Sequence, residues 1–104
     1  MAQGWYLYCL ECDNGSVYTG IALDVEARFR QHVDGGGARY TRANPPRRIL
    51  ARVKFPDRSM ASRAEYHVKR LTVARKWELC LQLQQTRPMH ARHTLRRYLP
   101  EGAI

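Results

Sequence analysis

The sequence predicts an α+β domain, a small three-stranded antiparallel sheet with flanking helices in the order β, β, α, β, α, α, closed by a basic C-terminal tail. Three observations predict it. Two short aromatic and apolar runs flank an Asn-Gly pair near the N-terminus, apolar residues then recur at four-residue spacing, and one alternating run separates that helix from two later helical stretches.

Trp5-Tyr6-Leu7-Tyr8-Cys9-Leu10 and Ser16-Val17-Tyr18-Thr19-Gly20-Ile21 read as strands joined through Asp13-Asn14-Gly15. Asp24 is a competent N-cap, and Val25, Phe29 and Val33 mark the apolar stripe of a helix that the triple glycine Gly35-Gly36-Gly37 ends. A basic loop from Ala38 to Arg48 follows, with Asn44-Pro45-Pro46 opposing regular structure. Ile49 to Phe55 alternates as a third strand. Ser59 can cap a helix to about Leu71 with Ala61, Ala64, Val68 and Leu71 buried, and Thr72 can cap another to about Leu83. Residues 1–84 make the domain; residues 85–104 make the basic tail, either a helical arm or a disordered extension.

A chain of 104 residues has room for one modest core, so one domain must hold everything. Eighteen Lys and Arg against nine Asp and Glu give a formal charge of +9, which calls for a polyanionic partner. Only Lys54, Lys69 and Lys76 of those cations are lysine, and arginine's planar fork suits phosphate. No apolar run reaches the ~18 residues of a membrane span, and Met1-Ala2-Gln3-Gly4 shows no signal-peptide core, so a cytoplasmic protein is expected. Cys9, Cys12 and Cys80 are odd in number and set in apolar segments, which fits reduced thiols. Cys9 and Cys12 sit three apart on a strand and point to opposite faces, against a zinc or redox reading of that pair.

Tyr6-Leu7-Tyr8 and Tyr18-Thr19-Gly20, followed by Arg28 and His32 on one helix and Glu65 on a later one, resemble the GIY-YIG nuclease domain, most of all its small stand-alone bacterial members. The match runs from about Trp5 to about Leu83, and it is the ordered set that is specific. The first motif has Tyr-Leu-Tyr for Gly-Ile-Tyr and the second has Thr19 for Ile, while both tyrosines and the second glycine remain. Motif spacing favours Tyr8 as the first-motif residue, with Tyr6 beside it on the same strand face. The resemblance implies that Tyr8 or Tyr6 and Tyr18 lie in the active site, that Arg28 grips the scissile phosphate, that His32 assists proton traffic and that Glu65 holds one Mg²⁺ or Mn²⁺. The polar residue that many members carry on the last helix has no evident counterpart among Leu79, Cys80, Leu81 and Gln82.

The residue chemistry agrees with that implication. Phosphodiester hydrolysis needs a positioned water, a base, and positive charge facing the transition state. Arg28 and His32, four apart, put a fixed cation beside a titratable imidazole, and Glu65 is the one carboxylate of its helix. Tyr8 is expected to serve as the base, helped by Tyr18 or His32, with its phenol lowered by neighbouring positive charge. Taken singly, the same residues also fit blander roles: core aromatics, a solvated helix face, and a Glu65–Lys69 surface pair.

Arg39, Tyr40, Arg42 and Arg47 interleave cations with a stacking ring, and Lys69 and Lys76 extend the positive surface; these are the expected nucleic-acid contacts. One site cuts one strand, and no further DNA-binding domain is evident. Single-stranded or branched DNA, cut by a monomer or weak dimer, is therefore favoured. The rivals are a nucleic-acid-binding module without turnover, on DNA or RNA, and an interaction domain for acidic proteins.

Overall fold

The computed structural model describes residues 4–104; the start of the expected domain and the segment read for a signal peptide, residues 1–3, lie outside them. Strands β1 (Trp5–Cys12), β2 (Val17–Ala22) and β3 (Pro46–Phe55) form one antiparallel sheet in the order β2-β1-β3. Helix α1 (Val25–Val33) and the short helix α2 (Arg39–Ala43) lie between β2 and β3, and α3 (Arg58–Lys69), α4 (Val73–Gln84), a 3-10 turn (Pro88–His90) and α5 (Ala91–Arg96) follow. The α+β class and the antiparallel three-stranded sheet are as the sequence predicts.

Local chemistry explains the boundaries. The β1–β2 hairpin turns at Asp13-Asn14-Gly15, where Gly15 has φ 82° and the Gly15 N–H closes on the Cys12 carbonyl at 2.9 Å, a three-residue loop with glycine at its left-handed position. Asp24 caps α1 through the Ala27 N–H, and Thr72 caps α4 through the Arg75 N–H. Helix α3 is capped by Asp57, through the Met60 N–H, so it begins ahead of the expected Ser59: the carboxylate reaches the free N–H groups first.

Three expectations need correction. β3 begins at Pro46, because β3 is an edge strand and a proline opening such a strand wastes no ladder donor. Two register shifts in the β1–β3 pairing, between Cys9 and Leu10 and between Glu11 and Cys12, absorb the extra residues. Part of the expected basic loop is α2, pinned by the Asn44 N–H to the Tyr40 carbonyl at 2.9 Å and by buried Thr41. In α1, Val33 is 52 % exposed and His32 occupies the inward position instead.

One sheet face carries the main core. Leu7, Cys9, Val17, Val53 and Phe55 meet Ala61, Ala64 and Val68 of α3 and Leu79, Cys80 and Leu83 of α4. Residues 85–104 add Ala91, Leu95, Leu99 and Ala103 to the same core, while Arg92, Arg96 and Arg97 point outward. The other face is smaller, with Tyr8, Leu10, Ala22 and Val25 buried and Tyr6, Tyr18, Phe29 and Ile49 packed round them.

Candidate active site

Strand pairing sets Tyr8 directly opposite Gly20, and the phenol lies over that glycine. A Cβ there would meet the Tyr8 hydroxyl at 2.5 Å, so the motif glycine is the space the tyrosine occupies. From this seat the Tyr8 hydroxyl reaches His32 Nε2 at 2.9 Å. His32 Nδ1 lies 2.7 Å from Thr41 Oγ1, and the Thr41 hydroxyl donates to the Ala38 carbonyl at 2.9 Å. Gly37 leaves room for the imidazole, since any Cβ there would collide with Nδ1. Gly37 therefore has different work from Gly35, whose φ of 83° turns the chain out of the helix.

These contacts assign the protons. Thr41 gives its hydrogen to Ala38, so its oxygen accepts one from His32 Nδ1–H, which leaves Nε2 as the acceptor for the Tyr8 hydroxyl. Burial, and secondarily Arg28, hold the His32 pKa below its ordinary value, which keeps the imidazole neutral. Burial, then the neighbouring Tyr18, push the Tyr8 phenol up to about 12, and Arg28 only partly offsets them. The expected lowering of this phenol is thus reversed, because a residue 1 % exposed loses more hydration than one guanidinium restores.

Tyr18 completes the ring cluster. Its centroid lies 6.4 Å from Tyr8, 5.1 Å from His32 edge-on, and 6.3 Å from Tyr40 in a stacked arrangement. Unlike Tyr8 it is only half-buried and borders an open groove. Arg28 is half-buried and donates to Gln31 at 2.8 Å, within its own helix. Glu65 comes from the opposite sheet face, near the end of α3, and acts on Tyr8 through its charge. Its half-buried carboxylate pairs with Lys69 at 3.2 Å, and the Lys69 ammonium stands 5.9 Å from the Tyr18 ring centre. The simple Glu65–Lys69 surface pair that the sequence allowed is therefore present, and it lies beside the two phenols.

Tyr8, Tyr18, Arg28, His32 and Glu65 are brought together at the β2 edge of the sheet. Tyr6 is not: it shares the Tyr8 side of the strand but lines a separate cleft of about 480 Å³ with Arg52 and Lys54. Arg39, Tyr40, Arg42 and Arg47 are exposed, Arg47 lies 3.9 Å from Asp13, and half-buried Lys76 lines the groove beside Tyr18. Thr41 and Gly37 were missed in the sequence reading, since neither lies in a motif and only the fold brings them to His32.

A family model described as the GIY-YIG catalytic domain matches residues 4–78. The chain belongs to the GIY-YIG family. A UPF0213 protein of Cupriavidus pinatubonensis is 52 % identical over 78 % of the chain and 90 % of its own length. One from Xanthomonas axonopodis pv. citri is 60 % identical over 69 % of the chain and 71 % of its own. The solution NMR structure of the UPF0213 protein BH0048 from Bacillus halodurans is 43 % identical, covers 76 % of this chain and 84 % of that one, and superposes with a TM-score of 0.49. GIY-YIG domains are nuclease domains, which accounts for a strongly basic chain with phenols, a guanidinium and a carboxylate gathered at one edge.

The divalent metal that the GIY-YIG family implies fits this donor set. Glu65 offers a hard, partly exposed carboxylate paired with an exchangeable ammonium, that of Lys69. Among the described residues no three His, Cys, Asp or Glu side chains cluster, so the fit is to a hydrated ion completed by substrate oxygens.

Proposed function

We propose that this GIY-YIG domain is a divalent-metal-dependent DNA endonuclease acting on single-stranded or branched DNA, with Mg²⁺ or Mn²⁺ held by Glu65. The observation that supports it most is the pairing of a neutral phenol, Tyr8, with a neutral imidazole, His32, directly behind an accessible second phenol, Tyr18. Tyr8, held protonated towards His32, keeps a second negative charge out of the cluster and leaves proton abstraction to Tyr18, which borders solvent. This moves the base from the expected Tyr8 to Tyr18 and makes Tyr8 and His32 the pair that fixes it in place.

Arg28 exchanges its Gln31 bond for a phosphate oxygen and opposes the charge that develops there. When bound, the cation supplies further positive charge on the phosphate and favours ionisation of the attacking water. Tyr18, in its phenolate form, takes a proton from that water, with the Lys69 ammonium 5.9 Å from its ring centre. Arg39, Arg42, Arg47 and Lys76 hold the strand through its phosphates, so binding is expected to weaken steeply with salt.

Labelled single-stranded, duplex and forked oligonucleotides, incubated with Mg²⁺, Mn²⁺ or EDTA beside a Glu65→Ala control, test the proposal. Metal-dependent products from the single-stranded and forked substrates are expected. Products that persist in EDTA or in the variant refute the mechanism, and equal cutting of plain duplex removes the substrate preference.

A further inference from the structure

The hairpin turn, α2, the end of α3 and the start of α4 border an open groove of about 400 Å³ at the outer edge of β2, within the size range of ligand clefts. Its walls are of two kinds. Val17, Val73 and the rings of Tyr18 and Tyr40 are apolar and flat, while Lys69 and Lys76 bring two ammonium groups to the same space. Val73 is 52 % exposed and Tyr40 is 41 % exposed, and neither contributes to a core cluster. A π-face and a nearby anion, which together describe a nucleotide, satisfy both kinds of wall at once.

Tyr40 is also held more firmly than a surface ring requires. Its hydroxyl lies 2.5 Å from Ser16 Oγ and accepts from Asn14 Nδ2 at 3.1 Å, and Asn14 Oδ1 in turn receives the Ser16 N–H at 3.1 Å. The ring is thereby fixed from the far side of the groove, within 18° of the Tyr18 plane. A pre-set aromatic face loses little freedom when a base stacks on it. Tyr18 belongs to the groove and to the catalytic cluster alike, so whatever stacks here lies beside the reacting phosphate.

We propose that this groove is a stacking subsite for one unpaired nucleobase flanking the scissile phosphate. The proposal rests on the nuclease reading and sharpens it. A base in an intact duplex has both faces covered and cannot enter, whereas a base in a single strand or at a branch can. Selection against plain duplex then arises in the groove itself, and the subsite tolerates any base because every base has a π-face.

A binding experiment in EDTA separates the subsite from the catalysis. Forked DNA whose junction fixes the register carries a single abasic position, moved one nucleotide at a time along the single-stranded arm, and affinity for the full chain is measured at each. The expected result is one position at which the missing base weakens binding about 5- to 150-fold, the range of a stacked base, with little effect elsewhere. In Tyr40→Ala the intact fork binds weaker by a similar factor and the abasic position costs nothing further. Equal effects at every position overturn the subsite, as does an undiminished abasic penalty in Tyr40→Ala. Because the abasic scan uses the unaltered protein, it decides the question even if the variant folds poorly. A single-position penalty in a chain that never cuts would sustain the subsite and defeat the nuclease reading; cutting with a flat scan would do the reverse.

Discussion

The same three strands present two unlike faces. Towards α3, α4 and α5 the sheet buries Leu7, Cys9, Val53 and Phe55 among aliphatic partners, and little there can ionise except Cys9 and Cys80. Towards α1 it buries Tyr8 against His32 and Thr41, three polar side chains whose hydrogen bonds are all made internally. The first arrangement gains from area removed from water. The second gains little from area and keeps its cost low only while every donor meets its acceptor. The proposed function uses the second face and the edge beside it, while the first face packs against the helices α3, α4 and α5.

If the faces divide labour in this way, substitutions at the β2 edge should remove turnover and spare stability. The largest effect is expected for Glu65→Ala and Arg28→Ala, each losing about 10³-fold or more in cleavage rate with a thermal midpoint close to the parent. Tyr18→Phe follows, at about 10²- to 10⁴-fold, the usual worth of a positioned base. Tyr8→Phe should lose less, because its hydroxyl anchors His32 and does not meet the water. Single-turnover cleavage of a forked oligonucleotide ranks the four variants, and a larger loss for Tyr8→Phe than for Tyr18→Phe would return the base to Tyr8.

On the opposite face the expected sign is reversed. Leu95 of α5 is 0 % exposed although it lies in the segment the sequence marks as a tail. Leu95→Ala should cost about 2–5 kcal/mol of folding stability in a urea titration. Its chemistry per folded molecule should be unchanged. A loss below about 0.5 kcal/mol, the range of substitutions away from packed sites, would show that the last helix adds nothing to the core.

The two faces were also unequally legible in the sequence. Periodicity exposed the aliphatic one: Ala61, Ala64 and Val68 recur at helical spacing and are buried as read. Leu95 and Leu99 were hidden by Arg92, Arg96 and Arg97 around them, whose charge reads as solvent whatever the neighbours do. The polar face was legible only through motif order. The family resemblance named Tyr8, Tyr18, Arg28, His32 and Glu65, but the apolar-stripe rule marked Val33 as the inward residue of α1, because a pattern rule cannot foresee that Gly37 clears space for an imidazole or that Thr41 will satisfy it. Likewise the Tyr8 phenol was expected to be lowered by neighbouring charge, and its burial, which depends on the partner strand, reverses the direction.

A smaller effect should appear with pH. The His32 pKa lies below its ordinary value, so the unfolded chain binds the proton more readily than the folded one. The associated stability is complete above the unfolded value of about 6.5 and is lost as pH falls from there through the folded value. Thermal midpoints taken from pH 8 to pH 5 should decline on the acid side, and His32→Gln should flatten that part of the decline. An equal slope in parent and variant would place the acid sensitivity elsewhere.

The smallest change in stability is expected at the Glu65–Lys69 pair, one turn apart within α3 at 3.2 Å. As an i,i+4 pair open to solvent it is worth a few tenths of a kcal/mol, so Lys69→Met should leave the urea midpoint nearly unmoved. Its consequence for the site is larger than its contribution to the fold. The ammonium stands where a cation bound by Glu65 would have to displace it, so removing it should tighten Mn²⁺ binding by the DNA-free protein, read by calorimetry. It should also lower the salt dependence of DNA binding by about one phosphate contact. Weaker Mn²⁺ binding in Lys69→Met would mean that the lysine orients Glu65 for the metal, and the edge would then be a pre-assembled site in place of one held closed by its own counter-ion.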